Sequence, residues 1–281
     1  MAVKIFLGRA GSGKTFACLK KIQDILVNAP LDTQIIFLLP AYQTYRAELE
    51  LVKITGGSVN TRMMSFQRFS KKILEEVGGA IIPRISEIGR RLLLRKILIS
   101  HAKAEDLKFY KKAANQRGFA EKLAQEISEL RTYNINHENL RGILNKIEND
   151  ELKDKISDLA LLSENFRIAI ADKQNDESDL LEKAAELIKF SADIKKSEIF
   201  IDGFIFFDPQ QRKILREIFK YTKNIYITLP MNCEIFSNDN INLLGIFNRA
   251  FKTYEFIKNL AGELKIDFAV ENFLSPLSSW H

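Results

Sequence analysis

Near the start of the 281-residue chain, the octapeptide GRAGSGKT occupies Gly8, Arg9, Ala10, Gly11, Ser12, Gly13, Lys14 and Thr15. It fits GxxxxGK[ST], the pattern of a phosphate-binding loop between a strand and a helix. Gly8, Gly11 and Gly13 permit the turns and close approach that aim successive N–H groups at phosphate oxygens, and Lys14 adds a point charge for the β- and γ-phosphates. The Thr15 hydroxyl suits Mg2+. An apolar strand, AVKIFL, runs directly into Gly8, and an amphipathic helix is expected from Thr15. ATP with Mg2+ is therefore the expected ligand pair.

Hydrolysis needs more than a cradle. An acidic residue on a nearby strand end must support the metal, and a base or polar group must position the attacking water. Asp202, closing the run EIFID, is expected to join Thr15 in the first role. The next residue is Gly203, where many P-loop motors carry a glutamate. Loss of a general base costs on the order of 10²–10⁴ in rate. Nucleotide binding with very slow turnover or none is the expectation, and no residue is assigned as catalytic.

Other chemistries find little support. Cys18 and Cys233 are far apart with no CxxC spacing, and the three histidines do not fall at metal-ligand intervals, which argues against a disulfide framework, a zinc site or an iron–sulfur cluster. Cys18 is expected as a small buried residue of the first helix. No apolar run approaches the ~20 residues of a membrane span, and glycines rather than a signal-peptide cleavage pattern follow the first strand, so a cytoplasmic protein without membrane contact is expected. The net charge is +6, but residues 1–100 hold 16 Lys and Arg against seven Asp and Glu. That surplus suits a phosphate-rich partner, and an ordinary solvated surface would explain it equally well.

The elements that must position these groups are legible as alternating patterns. AVKIFL, QIIFLL and SVNTRMM read as strands, followed by helices from Thr15 to about Val27, Tyr42 to Val52 and Ser65 to Val77, the rhythm of βαβ units on a parallel sheet. From Pro83 to Asn175 strand signals vanish. Phe119, Leu123, Ile127 and Leu130 fall at helical spacing, as do Leu152, Ile156, Leu159, Leu162 and Phe166. Ser178 is expected as the N-cap of a helix over Asp179–Phe190. The α/β rhythm returns with EIFID at 198–202, a helix from Pro209 to about Tyr221 and NIYITL at 224–229, then one more helix and a strand around Lys265–Val270. The expected fold is α/β: a P-loop NTPase (RecA-like) parallel sheet with a large all-helical insertion. Its segments are 1–82 (first part of the core), 83–175 (the insertion) and 176–281 (the return to the core).

GRAGSGKT together with IFIDGFIFFDPQQRKIL at 199–215 resembles the N-terminal part of AddB, the second subunit of the bacterial AddAB helicase–nuclease. The DGF…PQQ pattern is the more specific half. Segment order agrees along most of the chain, including a DxxDLL-like re-entry at Asp176, Asp179, Leu180 and Leu181. AddB-type chains look like superfamily-one helicases whose motor has decayed. Where a working helicase of that class has DExQ, this chain has Asp202, Gly203, Phe204 and Ile205, and no upstream segment carries an adenine-reading glutamine. The resemblance implies a role in double-strand-break repair and recombination, as a heterodimer with an AddA-type helicase–nuclease subunit. It also implies that the chain is an N-terminal fragment lacking the family's nuclease domain. RecC-like subunits fit less well, because they generally lack an intact phosphate loop.

In the related helicases single-stranded DNA crosses the loops after the second and third strands, here Pro40–Thr44 and Met64–Arg68. By that resemblance Tyr42 and Phe66 could stack on bases, while Arg62 and Arg68 could meet phosphates. Tyr42, Tyr45, Leu49 and Val52 share one helical face, however, which favours a core role for the tyrosines and leaves Gln43, Thr44 and Arg46 as the better DNA contacts. Phe66 and Phe69 face the same ambiguity. Arg90, Arg91, Arg95 and Lys96 are expected opposite Ile88, Leu92 and Ile99, as a solvated face or a DNA track. Two other readings stay open: a catalytically active P-loop ATPase or helicase, and a scaffold whose loop is a relic.

Overall fold

The six apolar runs read as strands pair in one all-parallel sheet: β1 (Ala2–Gly8), β2 (Gln34–Leu38), β3 (Thr61–Met64), β4 (Ser197–Ile201), β5 (Asn224–Pro230) and β6 (Asp267–Phe273). The computed structural model describes residues 1–28, 33–78, 85–171, 177–231 and 246–273. Strand order is β3-β2-β4-β5-β1-β6, so the chain moves outward to one edge before β4 and β5 return to the centre and β6 forms the opposite edge. β4 is buried at all five positions, as expected of a central strand covered on both faces. The third strand is shorter than the expected SVNTRMM, starting only at Thr61.

Helices connect the strands in the right order: α1 (Lys14–Asn28), α2 (Thr44–Thr55), α3 (Phe66–Val77), and later α8 (Glu177–Leu187), α9 (Ala192–Lys195), α10 (Pro209–Tyr221) and α11 (Asn248–Glu263). Their ends follow local chemistry. Ser65 caps α3 by accepting from the Arg68 amide at 3.4 Å, and α2 and α3 stop at Gly56 and Gly78, both left-handed. Pro209 opens α10, where its missing N–H and fixed φ cost nothing. Under the sheet Phe6, Cys18, Ile22, Phe37, Leu51 and Phe200 form part of one buried cluster. Ser178 lies inside α8 rather than at its cap. Asp176, Cys233 and the terminal LSSWH fall outside the described residues.

Contact density divides the chain into two units: residues 1–79, 183–207 and 211–281 around the sheet, and residues 80–182 with 208–210. The boundaries expected at 82/83 and 175/176 lie outside the described residues. The second unit is helical throughout its described part: α4 (Glu87–Lys103), α5 (Phe119–Thr132), α6 (His137–Ile143) and α7 (Asp150–Ala171). Its core joins Leu94, Leu98, Leu123, Ile127, Leu159, Leu162 and Phe166. Asp158, only 2% exposed, clamps the preceding turn by accepting from the amides of Lys108, Phe109 and Tyr110 at 3.1, 2.8 and 2.9 Å.

The faces of α4 differ from the expectation. Leu94 and Leu98 are fully buried, whereas Ile88 and Leu92 are each 62% exposed. With 3.6 residues per turn, Ile88, Arg91, Leu92 and Arg95 then share the outward face, so Arg91 and Arg95 lie beside the two apolar residues and not opposite them. The run RRLLLRKILI carries apolar residues all round the helix, which is why periodicity alone chose the wrong stripe.

Candidate functional site

The loop at the C-terminal end of β1 is built by crowding as much as by backbone freedom. Gly11 and Gly13 have φ of 79° and 89°, the left-handed region that favours glycine. Gly8 is needed for another reason: a β-carbon there would collide with Ser12 Oγ and lie 2.7 Å from the Phe273 carbonyl oxygen of the adjacent β6. The loop closes with the Ser12 amide donating to Arg9 O at 3.2 Å, and α1 starts with Ala17 N–H bonded to Gly13 O at 2.9 Å. Arg9 and Ala10 are exposed at its tip. The Lys14 ammonium folds across the loop, donating to the carbonyls of Gly8 and Arg9 at 2.7 Å each and to Ser12 Oγ at 3.3 Å. It is thereby held across the backbone of the loop.

Asp202 reaches this loop from two strands away. β5 lies between β1 and β4, which puts their backbones roughly 10 Å apart. The gap is bridged by side chains: the Thr15 hydroxyl donates to Asp202 Oδ2 at 2.6 Å, and the Thr228 hydroxyl, on β5, donates to Asp202 Oδ1. The Gly203 amide donates to the same Oδ1 at 2.8 Å. A carboxylate 6% exposed is thus satisfied by three donors on three segments. Thr15 and Asp202 offer adjacent hard oxygens, the donor type Mg2+ takes, with phosphate and water completing its shell. Among the described residues no group of three or more His, Cys, Asp or Glu is placed to hold a metal.

Gly203 has φ of 81°, and a β-carbon on it would meet Gln43 Oε1 and lie 2.9 Å from Pro40 Cδ. The β-carbon position of residue 203 is therefore occupied by side chains of the loop after β2. Beneath the site the buried Cys18 thiol is pushed well up, first by burial and then by the Asp202 carboxylate, with Lys14 opposing. It is an inert core thiol.

The residues expected to meet DNA separate on inspection. Gln43 packs against Gly203, and its Nε2 donates to Tyr42 Oη at 3.1 Å. Thr44 Oγ1 donates to Ala41 O at 2.9 Å, turning the chain into α2. Arg46 and Arg68 are exposed, and so is Arg62, which sits on edge strand β3 two residues before its end. Phe66 is not available for stacking: it is 3% exposed, with Phe204 and Phe207 at ring-centroid distances of 5.3 and 6.1 Å. The tyrosines correct the opposite way. Tyr42 and Tyr45 are 81% and 70% exposed, because α2 packs through Ala47 and Leu51 instead.

Two features escaped the sequence reading. Thr228 is the polar residue of the otherwise apolar run IYITL, and that exception was the available signal. Phe206 is 42% exposed, with the Arg249 guanidinium 5.3 Å from its ring centre, and the loop is tied to α11 by Thr253 Oγ1 donating to Ile205 O at 2.9 Å. Nothing in the sequence links residues so far apart.

Comparison with known proteins gives the family of the chain. A family described as ADDB, N-terminal, matches residues 5–279. Proteins named as the B subunit of an ATP-dependent helicase/deoxyribonuclease, from Bacillus mycoides (strain KBAB4), Bacillus cereus (strain ATCC 10987 / NRS 248) and Bacillus anthracis, are each 34% identical over 276 residues, 95% of this chain. The chain spans 23% of the length of each of these relatives. With the family matched across nearly its whole length, the chain belongs to the AddB family and corresponds to its N-terminal part.

Proposed function

We propose that this chain is the nucleotide-clamping, DNA-handling part of an AddB-type subunit, holding ATP and Mg2+ at Gly8–Thr15 and Asp202 with very slow turnover or none. Lys14 exchanges the Gly8 and Arg9 carbonyls for phosphate oxygens, and Thr15 and Asp202 hold the metal. Mg2+ supplies charge neutralisation of the phosphates. The observation that carries the reading is the Asp202–Gly203 step: a carboxylate already bonded to Thr15 at 2.6 Å, followed by a residue whose φ of 81° disfavours any side chain and whose β-carbon position is crowded by Gln43 and Pro40. One strand between the loop strand and the Asp202 strand, all parallel, supports a RecA-like core. A ligand site beyond the carboxyl ends of such strands is the usual arrangement.

Single-stranded DNA is assigned to the loops after β2 and β3, with Gln43, Thr44, Arg46, Arg62 and Arg68 as contacts and the exposed Tyr42 as the stacking ring. The relatives' names, B subunits of an ATP-dependent helicase/deoxyribonuclease, support a place in a DNA-acting complex with a partner subunit; we take that complex to act in double-strand-break repair in the cytoplasm, with translocation supplied by an AddA-type partner. Titration of a fluorescent ATP analogue with and without Mg2+ tests the clamp. Lys14→Ala should weaken binding at least about tenfold, some 1.4 kcal/mol, while turnover stays below about one per second. Equal binding by the variant would favour a relic loop. Turnover above that rate, abolished by Lys14→Ala, would make the chain an active ATPase.

A further inference from the structure

The helical unit carries a basic cleft that the nucleotide site and its flanking loops do not use. The outward face of α4 presents Ile88, Arg91, Leu92 and Arg95, and the turn leading into α5 brings Arg117 to face them around a cleft of about 460 Å3. Charge is unbalanced within it. The lining carboxylate, Glu121, is bound by Arg91 at 3.2 Å. Arg95 and Arg117 are both exposed, and among the described residues neither makes a hydrogen bond or ion pair. Beside them Ile88 and Leu92 are each 62% exposed, which leaves aliphatic surface next to unpaired guanidiniums. Solvation alone accounts for the arginines, but not for two large apolar side chains presented with them on one wall of a concavity.

We propose that this cleft binds a single strand of nucleic acid, with Arg95 and Arg117 on successive phosphates and bases laid against Ile88 and Leu92. The inference rests on the DNA-handling reading above. Guanidinium forks match phosphate oxygens bidentately. A single strand offers phosphates and unstacked base faces together, whereas a duplex keeps its bases stacked inside and could not use the apolar wall. Because Arg91 is already neutralised by Glu121, the lining cations left unpaired among the described residues are two separate groups, which a ligand with regularly spaced charges satisfies better than a lone anion.

Fluorescence anisotropy of a labelled oligothymidylate with the intact chain, across a salt series, is the test. The double variant Arg95→Gln/Arg117→Gln should bind roughly tenfold more weakly, and its log–log salt slope should flatten by about 1.4, two phosphates at ~0.7 each. Leu92→Ser should weaken the single strand and leave a duplex of equal length unaffected. Both changes are on the surface, so the far-ultraviolet circular dichroism should match that of the wild type. If the wild type binds the oligonucleotide and the double variant keeps its affinity and slope, the cleft assignment fails while the DNA-handling reading stands. Absence of wild-type binding overturns both. Displacement by polyglutamate with the same arginine dependence and equal potency would mark a site for acidic chains and overturn the single-strand assignment.

Discussion

The side chain of Gln43 occupies the space that any β-carbon on residue 203 would require, and Gly203 is left-handed at φ of 81°. The loop after β2 and the loop after β4 are therefore fitted to each other through a glycine. Restoring the glutamate found in many P-loop motors meets two obstacles: a backbone conformation costing about 1–2 kcal/mol for a side-chain-bearing residue, and a clash with Gln43 and Pro40. Gly203→Glu is expected to lower the melting temperature without raising ATP turnover. Adding Gln43→Ala should recover part of the lost stability, giving a non-additive double-mutant cycle. Motor-like turnover in Gly203→Glu would refute the block.

Thr228 gives a second handle on the same carboxylate. Its hydroxyl is buried, and it supplies one of the three donors to Asp202. Thr228→Val keeps the shape and removes the donor, leaving a buried oxygen one bond short at a cost of about 1–3 kcal/mol. Urea denaturation should show that loss, and the Mg2+-dependent part of nucleotide binding should weaken. Unchanged stability would mean that the Thr228 hydroxyl does not serve the carboxylate.

How much of this was readable in advance depended on where the determinants lie. The loop and its flanking strand and helix were legible because glycines, lysine and threonine at fixed spacing sit between an apolar strand and a helix, all within one stretch of chain. The six strands were legible because β-branched and aromatic runs bounded by turn residues are local signals too. The fate of Phe66 and of the two tyrosines was not. The inward face of α2 is set by Ala47 and Leu51 packing on the sheet, that of α4 by Leu94 and Leu98 packing in the helical core, and both helices carry apolar residues on more than one face. Thr228 carried only the weak signal of a polar residue in an apolar run and the Phe206–Arg249 pair carried none, since sheet order and long-range packing alone create these contacts.

Alkaline pH should destabilise both cores over the same range. Burial pushes the phenols of Tyr110 and Tyr226 from 10 up to about 12, with Glu126 and Asp158 adding to the first and Glu198 to the second. A folded pKa above the unfolded one means that the neutral form is favoured in the native state. Their contribution to stability is complete below about pH 10 and is lost as pH rises towards 12. Absorbance at a tyrosinate band should show Tyr110 and Tyr226 titrating late, with Tyr254 also raised by burial, coincident with loss of ellipticity. Titration of all seven tyrosines near pH 10 with the fold intact would contradict the burial of those rings.

Phe66 and Arg68 stand two positions apart at the start of α3, and the structure gives them separate roles. Phe66 is 3% exposed against Phe204 and Phe207, so Phe66→Ala removes a core ring. The expected cost is about 3–5 kcal/mol. Arg68 is exposed, and its ordered contact is the backbone N–H bonded to Ser65 Oγ at 3.4 Å, which alanine would keep. Arg68→Ala should therefore melt like the wild type, while its single-stranded DNA affinity loses one phosphate contact and its salt slope flattens by about 0.7. Thermal melts and salt-dependent anisotropy on the same two variants separate the roles. A stable Phe66→Ala with impaired DNA binding would return that ring to the DNA path, and an Arg68→Ala variant with unchanged slope would remove the β3 loop from it.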